Sequence, residues 1–135
     1  NLVREISQLK QSNLQAYNDF LQNSKNAVNI IYESVKQNNR VKFFEGIKLN
    51  RETLSLLGKV ADVPIETEKL ALLSDAAEQL NGAGKLSGAG GGDCGLAFLQ
   101  KEEDREKLYD IWQQHDIEPL SITLDTKGTV IFINE

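Results

Sequence analysis

The chain has 135 residues, of which 40% are apolar and 26% charged, with a formal net charge of −5; these values are typical of one globular domain spanning residues 1–135. The acidic balance and the scattered Lys and Arg residues argue against nucleic acid as a partner, and no stretch approaches the ~20 apolar residues that span a bilayer. The single cysteine, Cys94, rules out an internal disulfide. With no signal peptide visible, we expect a cytoplasmic setting and no membrane partner.

The first 36 residues carry apolar side chains at helical spacing, so we predict a helix over 1–36 with a break near Ser12-Asn13. Beyond the break, one stripe recurs at alternating three- and four-residue steps, which places it on one side of a helix. Its members are Leu14, Tyr17, Leu21, Ser24, Val28, Ile31 and Val35. The stripe is short for a coiled coil and contains a serine, so we predict that it packs into the core.

A second helix is predicted over about 40–59, after the break at Gln37-Asn38-Asn39. Its inward residues are Phe44, Ile47, Leu54 and Leu57. Asn50 and Arg51 also lie on this helix and can reach a ligand, but a solvated helix face is the simpler interpretation.

A third helix is predicted to start at Thr67, because Pro64 disfavours helix at the residue before it and Thr67 is a good N-cap. It ends at Asn81-Gly82. Leu96-Ala97-Phe98-Leu99 is then predicted to be a buried strand, and Glu102 to open a helix that runs to about His115 with Leu108, Ile111 and Trp112 inward.

The end of the chain is predicted to be a hairpin. Leu120, Ile122 and Leu124 alternate with polar residues, residues 125–128 supply a turn, and Thr129–Ile133 returns. Helices come first and a strand, a helix and two strands follow, which indicates an α+β fold.

Seven of the ten glycines fall between residues 82 and 95. Glycines are needed where the backbone takes positive φ angles or is approached closely, and successive N–H groups in such a turn can converge on one anion. We therefore predict a phosphate-binding segment made of Ser87, Gly88, Ala89, Gly90, Gly91, Gly92 and Asp93, with Lys85 adding charge. No catalytic residue and no metal ligand are predicted.

Two other interpretations of the segment stay open: a flexible linker and a tight turn without a ligand. It is neither a P-loop nor a dinucleotide fingerprint, because the required Gly-Lys-Ser/Thr ending and strand–loop–helix context are absent. Asp93 shapes the turn, accepts N–H bonds from the loop or assists a metal. Cys94 is predicted to be a small buried residue, and His115 a surface or cap position.

The run Ser87-Gly88-Ala89-Gly90-Gly91-Gly92-Asp93-Cys94-Gly95 resembles the third motif of the GHMP small-molecule kinases, in the form found in the branch that acts on 5-phosphomevalonate. Residues 47–57 and 65–70 resemble the helices ahead of that motif. Leu86 stands where the resemblance leads us to expect proline, and Gly84 where it leads us to expect alanine.

The resemblance implies a ferredoxin-like C-terminal domain whose antiparallel sheet is packed with helices. It also implies ATP and Mg²⁺ as cofactors, 5-phosphomevalonate as the small-molecule substrate, and an N-terminal kinase domain that holds most of the nucleotide. The family's nucleotide loop does not occur here, and the chain starts at Asn1 and has no methionine. We therefore expect a piece of a longer enzyme that is inactive alone. Other GHMP enzymes (a mevalonate kinase or a diphosphomevalonate decarboxylase) and a non-catalytic ferredoxin-like anion-binding module remain alternatives.

Overall fold

The computed structural model describes residues 2–92, 94–123, 125, 126 and 128. Its helices are α1 (Leu2–Ser12), α2 (Leu14–Lys36), α3 (Arg40–Ala61), α4 (Glu68–Gln79) and α5 (Asp104–Gln114), and its strands are β1 (Ala83–Leu86) and β2 (Gly95–Phe98). The strands pair antiparallel, and both α3 and α4 pack against β1. The predicted α+β class is confirmed. Within these residues no helix is both long and apolar enough to cross a membrane.

Side-chain caps set the helix starts that the sequence predicted. Asn13 accepts a hydrogen bond from the Ala16 amide at 3.1 Å, at the predicted break between α1 and α2. Asn39 caps α3 in the same way, and Thr67 caps α4. Each cap satisfies an amide that has no partner inside its own helix, so the boundaries follow from local chemistry.

The apolar stripe predicted to pack α2 into the core is largely wrong. Leu14, Leu21, Val28 and Val35 are between 48% and 64% exposed, whereas Ala27 and Ser34 are buried. The packed face is displaced by one residue toward these small side chains. The partner helix α3 presents Gly46, where an added Cβ would meet Ile31 Cγ1 at 2.7 Å. Because the two helices approach closely, side-chain size as well as hydrophobicity determines which residues of α2 can lie on its packed face.

Three apolar clusters form the core. The first joins Leu9, Leu57, Ile65, Leu70 and Leu86. The second joins Leu73, Ala76, Ala77, Leu108 and Trp112 between α4 and α5, which confirms the inward positions predicted for Leu108 and Trp112. The third joins Phe44, Ile47 and Ala83. The first cluster lies where the end of β1 meets the connection between α3 and α4.

The strands differ from their predictions in two ways. Strand β1 (Ala83–Leu86) has no counterpart in the sequence prediction. Strand β2 begins at Gly95, and Leu96 is 38% exposed rather than buried. Helix α4 packs against one face of this short sheet. Because successive side chains of a strand point to opposite faces, those of β2 that point away from α4 are more exposed to water.

The predicted C-terminal hairpin is not formed in the part that the structure describes. Residues 117–123 have no regular secondary structure, and Leu120 and Ile122 are 62% and 78% exposed. Leu124, Lys127 and the predicted return strand over 129–133 lie outside the described residues.

Candidate functional site

The glycine-rich segment is the tip of the β1–β2 hairpin. The last residue pair of the two strands is Leu86 with Gly95. Immediately beyond it, the Ser87 amide donates to the Cys94 carbonyl at 3.0 Å. We call residues 87–94 the glycine loop; Asp93, one of its predicted site residues, lies outside the described residues.

The loop has a conformation that requires glycine. Gly90, Gly91 and Gly92 have φ angles of 89°, 90° and 126°, in the region that disfavours any residue with a Cβ. The Gly91 amide donates to the Ile65 carbonyl at 3.0 Å. A Cβ on Gly90 would lie 2.4 Å from that same carbonyl oxygen. Positive φ and close backbone approach therefore coincide at one point of the loop.

Four other amides of the loop have no hydrogen-bond partner among the residues that the structure describes. Those of Ser87 and Gly91 are used within the fold. Those of Gly88, Ala89, Gly90 and Gly92 make no hydrogen bond to any other described residue. Gly88, Ala89 and Gly92 are exposed. Because these four amides have no partner among the described residues, they are candidates to donate to an anion.

Lys85 lies in β1 rather than in the loop. Its side chain is half-buried, and its Nζ donates to the Leu86 carbonyl. Burial lowers the pKa of Lys85 below its ordinary value. A nearby anion would reverse this effect, because it would stabilise the ammonium form.

The first turn of α4 is a neighbour of the loop that sequence reasoning missed. A Cβ on Gly92 would lie 3.6 Å from Thr67 Cγ2. The N-terminal end of a helix carries a partial positive charge and unpaired N–H groups. Lys69, in the same turn, donates to the Asp116 carbonyl at 3.0 Å. Thr67 marks a helix start in the sequence, but nothing there indicates that the start faces the glycines.

A cleft of about 980 Å³ opens beside the loop. Ser87, Gly92 and Cys94 border it on the loop side, and Leu73 and Trp112 are among its apolar residues. Its size and mixed lining suit a small metabolite. Cys94 is exposed, so its predicted burial is wrong; it follows the loop tip and borders the cleft instead of the core. His115 is exposed and follows α5 as its C-cap, as predicted.

Arg51 occupies an ion cluster, and its predicted place on a solvated helix face is wrong. Its Nε donates to Glu66 at 2.6 Å, Nη1 to Glu78 at 2.8 Å, and Nη2 lies 2.7 Å from Asp75. Burial disfavours the charged guanidinium, but the hydrogen bonds to Glu66, Asp75 and Glu78 outweigh it, so the pKa of Arg51 is raised. Asn50 is buried as well.

The family model described as "GHMP kinases C terminal" matches residues 20–118. The chain belongs to the GHMP kinase family and contains its C-terminal domain. The glycine loop and the start of α4 both lie within the matched range.

Three known proteins are similar to this GHMP kinase domain in sequence or structure. The phosphomevalonate kinase of Streptomyces sp. (strain CL190) is 29% identical over 130 residues, which are 95% of this chain and 35% of that protein. The crystal structure of a Lin0012 protein from Listeria innocua has a TM-score of 0.86 and 39% identity, over 89% of this chain and 34% of that one. The phosphomevalonate kinase of Streptococcus pneumoniae has a TM-score of 0.66 and 32% identity, over 84% and 33% of the two chains. The chain thus spans about a third of the length of each relative.

Four amides of the glycine loop have no partner among the described residues, and N–H groups of this kind suit phosphate oxygens. Among the residues that the structure describes, no group of three or more His, Cys, Asp or Glu side chains is arranged to hold a metal ion.

Proposed function

We propose that the chain is the C-terminal portion of a phosphomevalonate kinase, which transfers the γ-phosphoryl group of ATP to 5-phosphomevalonate and forms 5-diphosphomevalonate in the mevalonate route to isoprenoids. The observation that carries the proposal is the glycine loop, where four amides without a partner among the described residues accompany three positive φ angles. The named relatives support the choice of substrate.

In this proposal the loop contributes positioning and charge stabilisation. Phosphoryl transfer leaves a protein little covalent chemistry, so donors already aimed at phosphate oxygens are an effective contribution. The loop amides and the positive end of α4 would face the phosphate groups. Lys85 would add a positive charge from β1, at the cost of its present hydrogen bond to the Leu86 carbonyl.

The other components of the reaction would come from the rest of the complete enzyme. We assign most of the ATP contacts, the Mg²⁺ ligands and the groups acting on the attacking phosphate to an N-terminal kinase domain. Residues 1–135 alone would then bind phosphate groups but not catalyse.

The test is a substrate panel on the complete natural protein that carries this sequence. We expect ADP release with ATP and 5-phosphomevalonate, and none with the 135-residue chain alone. Turnover of mevalonate or of 5-diphosphomevalonate instead would identify another GHMP enzyme. Binding of these compounds without turnover by the complete protein would favour a non-catalytic anion-binding module.

Gly88 offers the sharpest variant for the loop itself. Unlike Gly90, it has no atom within 4 Å of an added Cβ, so a side chain there leaves the fold intact and projects into open space. Gly88→Val keeps the Gly88 amide but adds a side chain that would hold a phosphate group away from the loop, so kcat/KM for 5-phosphomevalonate should fall by about 10²-fold, the effect of misplacing a reacting group by about 1 Å. Unchanged kinetics in a folded Gly88→Val enzyme would exclude the loop from the phosphate site.

A further inference from the structure

Arg51 of α3 binds two different parts of the molecule, and one of them leads to the glycine loop. Nη1 and Nη2 contact Glu78 and Asp75, which lie on α4. Nε contacts Glu66, which lies in the connection between α3 and α4. The same guanidinium therefore joins a helix and a non-helical segment.

The Arg51–Glu66 pair is the enclosed part of this cluster. The two side chains are 12% and 11% exposed, whereas Asp75 is 59% and Glu78 32% exposed. Enclosed charge pairs are screened little by salt and are disrupted strongly when one partner is lost. Glu66 is therefore held more firmly than the two carboxylates on α4.

Glu66 is covalently joined to Ile65, the residue that contacts the loop. The Ile65 carbonyl accepts the Gly91 amide at 3.0 Å, and the Ile65 amide donates to the Val63 carbonyl at 2.8 Å. The Ile65 side chain is buried in the first apolar cluster. A continuous path of one ion pair, one peptide bond and one hydrogen bond thus runs from Arg51 to Gly91.

We propose that Arg51 is a positioning residue for the glycine loop. Through Glu66 it fixes the Ile65 carbonyl, which holds Gly90 and Gly91 in their positive-φ conformation. The loop then keeps its other amides without internal partners and available to a phosphate group, a consequence that rests on the proposed function. Lysine cannot substitute, because a single ammonium lacks the planar fork that holds three carboxylates at once.

Amide hydrogen exchange in the 135-residue chain, resolved by NMR, tests the positioning without any assay of activity. In Arg51→Lys and in Glu66→Gln, exchange of the Gly91 amide should rise about tenfold or more relative to the Ser87 amide, as expected when a hydrogen bond to a firmly held group is loosened. Ser87 is the internal reference, because its bond to Cys94 lies in the same loop but does not involve Ile65.

Glu78→Gln is the matched control. It removes a carboxylate from the same guanidinium but leaves the link from Arg51 to Ile65, so the ratio of Gly91 to Ser87 exchange should stay within about twofold of wild type. An unchanged ratio in Glu66→Gln overturns the proposal, as does an equal rise of both amides. If Arg51→Lys does not fold, Glu66→Gln decides alone, because glutamine keeps the size of the side chain but removes the negative charge that pairs with the enclosed guanidinium.

Kinetics of the complete protein separate this inference from the proposed function. Arg51→Lys should raise KM for the phosphate-bearing substrate more than Glu78→Gln does. The reason is that Arg51→Lys displaces the glycine loop, whereas Glu78→Gln leaves the link from Arg51 to Ile65 in place. Absence of turnover in the wild-type complete protein would contradict the proposed function and leave the exchange result standing. Normal kinetics in Arg51→Lys would contradict the role of Arg51 in the site.

Discussion

The main chain of Gly90 runs directly against Ile65. A Cβ placed on Gly90 would stand 2.4 Å from the Ile65 carbonyl oxygen and 2.8 Å from Ile65 Cγ2. The φ angle of Gly90 is 89°. The connection between α3 and α4 and the glycine loop are therefore fitted to each other at a point where no side chain has room.

Gly90→Ala should destabilise the chain by about 1–3 kcal/mol, through backbone strain at positive φ and the contact with Ile65. Gly88→Ala is the control, because nothing lies within 4 Å of its added Cβ. It should change the free energy of unfolding by less than about 1 kcal/mol. Urea unfolding of the two variants measures both values. Equal urea midpoints for Gly90→Ala and Gly88→Ala would show that Ile65 can move away from the added Cβ at position 90.

Gly84→Ala should also be destabilising, although alanine is the residue that the GHMP resemblance leads one to expect there. An added Cβ would lie 2.5 Å from Ser74 Cα, and a backbone atom of α4 cannot turn aside as a side-chain end can. Overpacking of this kind costs about 1–3 kcal/mol. A thermal or urea melt of the variant that matches wild type would mean that β1 and α4 separate easily.

The packed face of α2 can be tested with one substitution at two adjacent positions. Ala27 is fully buried and Val28 is 54% exposed. Ala27→Asn places an amide in the interface with α3 and should cost about 1–3 kcal/mol of stability. Val28→Asn should stay within about 0.5 kcal/mol. If denaturant unfolding shows a larger loss of stability in Val28→Asn than in Ala27→Asn, the apolar stripe predicted from the periodicity, and not the observed face, packs into the core.

The pH dependence of stability should carry a signature of Lys85. Its pKa in the folded chain is lowered from 10.5 by burial, so the unfolded chain binds its proton up to a higher pH than the folded chain does. Folding therefore disfavours the ammonium form at neutral pH, and stability rises as the pH passes from the lowered pKa toward 10.5. Lys85→Met has no ammonium group, so this contribution to the rise of stability with pH is absent from the variant.

The measurement is the difference in unfolding free energy between Lys85→Met and wild type, from neutral pH to about pH 10.5. Taken as variant minus wild type, the difference should decrease as the pH rises, because only the wild type is relieved of a disfavoured charge. Other titrating groups occur in both proteins and cancel. A difference independent of pH would contradict the assigned effect of burial.

Local chemistry explains which parts of the fold the sequence could predict. The starts of α2, α3 and α4 follow from Asn13, Asn39 and Thr67, each of which bonds an amide three residues ahead. Strand β1 could not be recognised, because Ala83 and Gly84 are required by contacts with other elements. Ala83 packs with Phe44 and Ile47, and Gly84 leaves room for Ser74.

The candidate site, too, could be predicted from the sequence only in part. Glycine density marked the loop, since few other demands concentrate glycines at one place. The positions of Ile65 and Thr67 beside the loop, and the ion cluster of Arg51, could not be predicted, because each depends on how α3, α4 and the hairpin meet. A mid-helix arginine such as Arg51 has the same appearance in a sequence whether it faces water or three carboxylates.

The two hydrogen bonds that hold the glycine loop, Ser87 to Cys94 and Gly91 to Ile65, have a thermodynamic consequence. Glycine-rich segments lose more backbone freedom on ordering than any other kind. Because this segment is tied at two separate places, that loss accompanies the collapse of the polypeptide and precedes any encounter with a ligand. A phosphate group that binds as we propose would meet a segment already ordered at these two places, so calorimetry of its association should show a smaller conformational-entropy penalty than an untied glycine segment would.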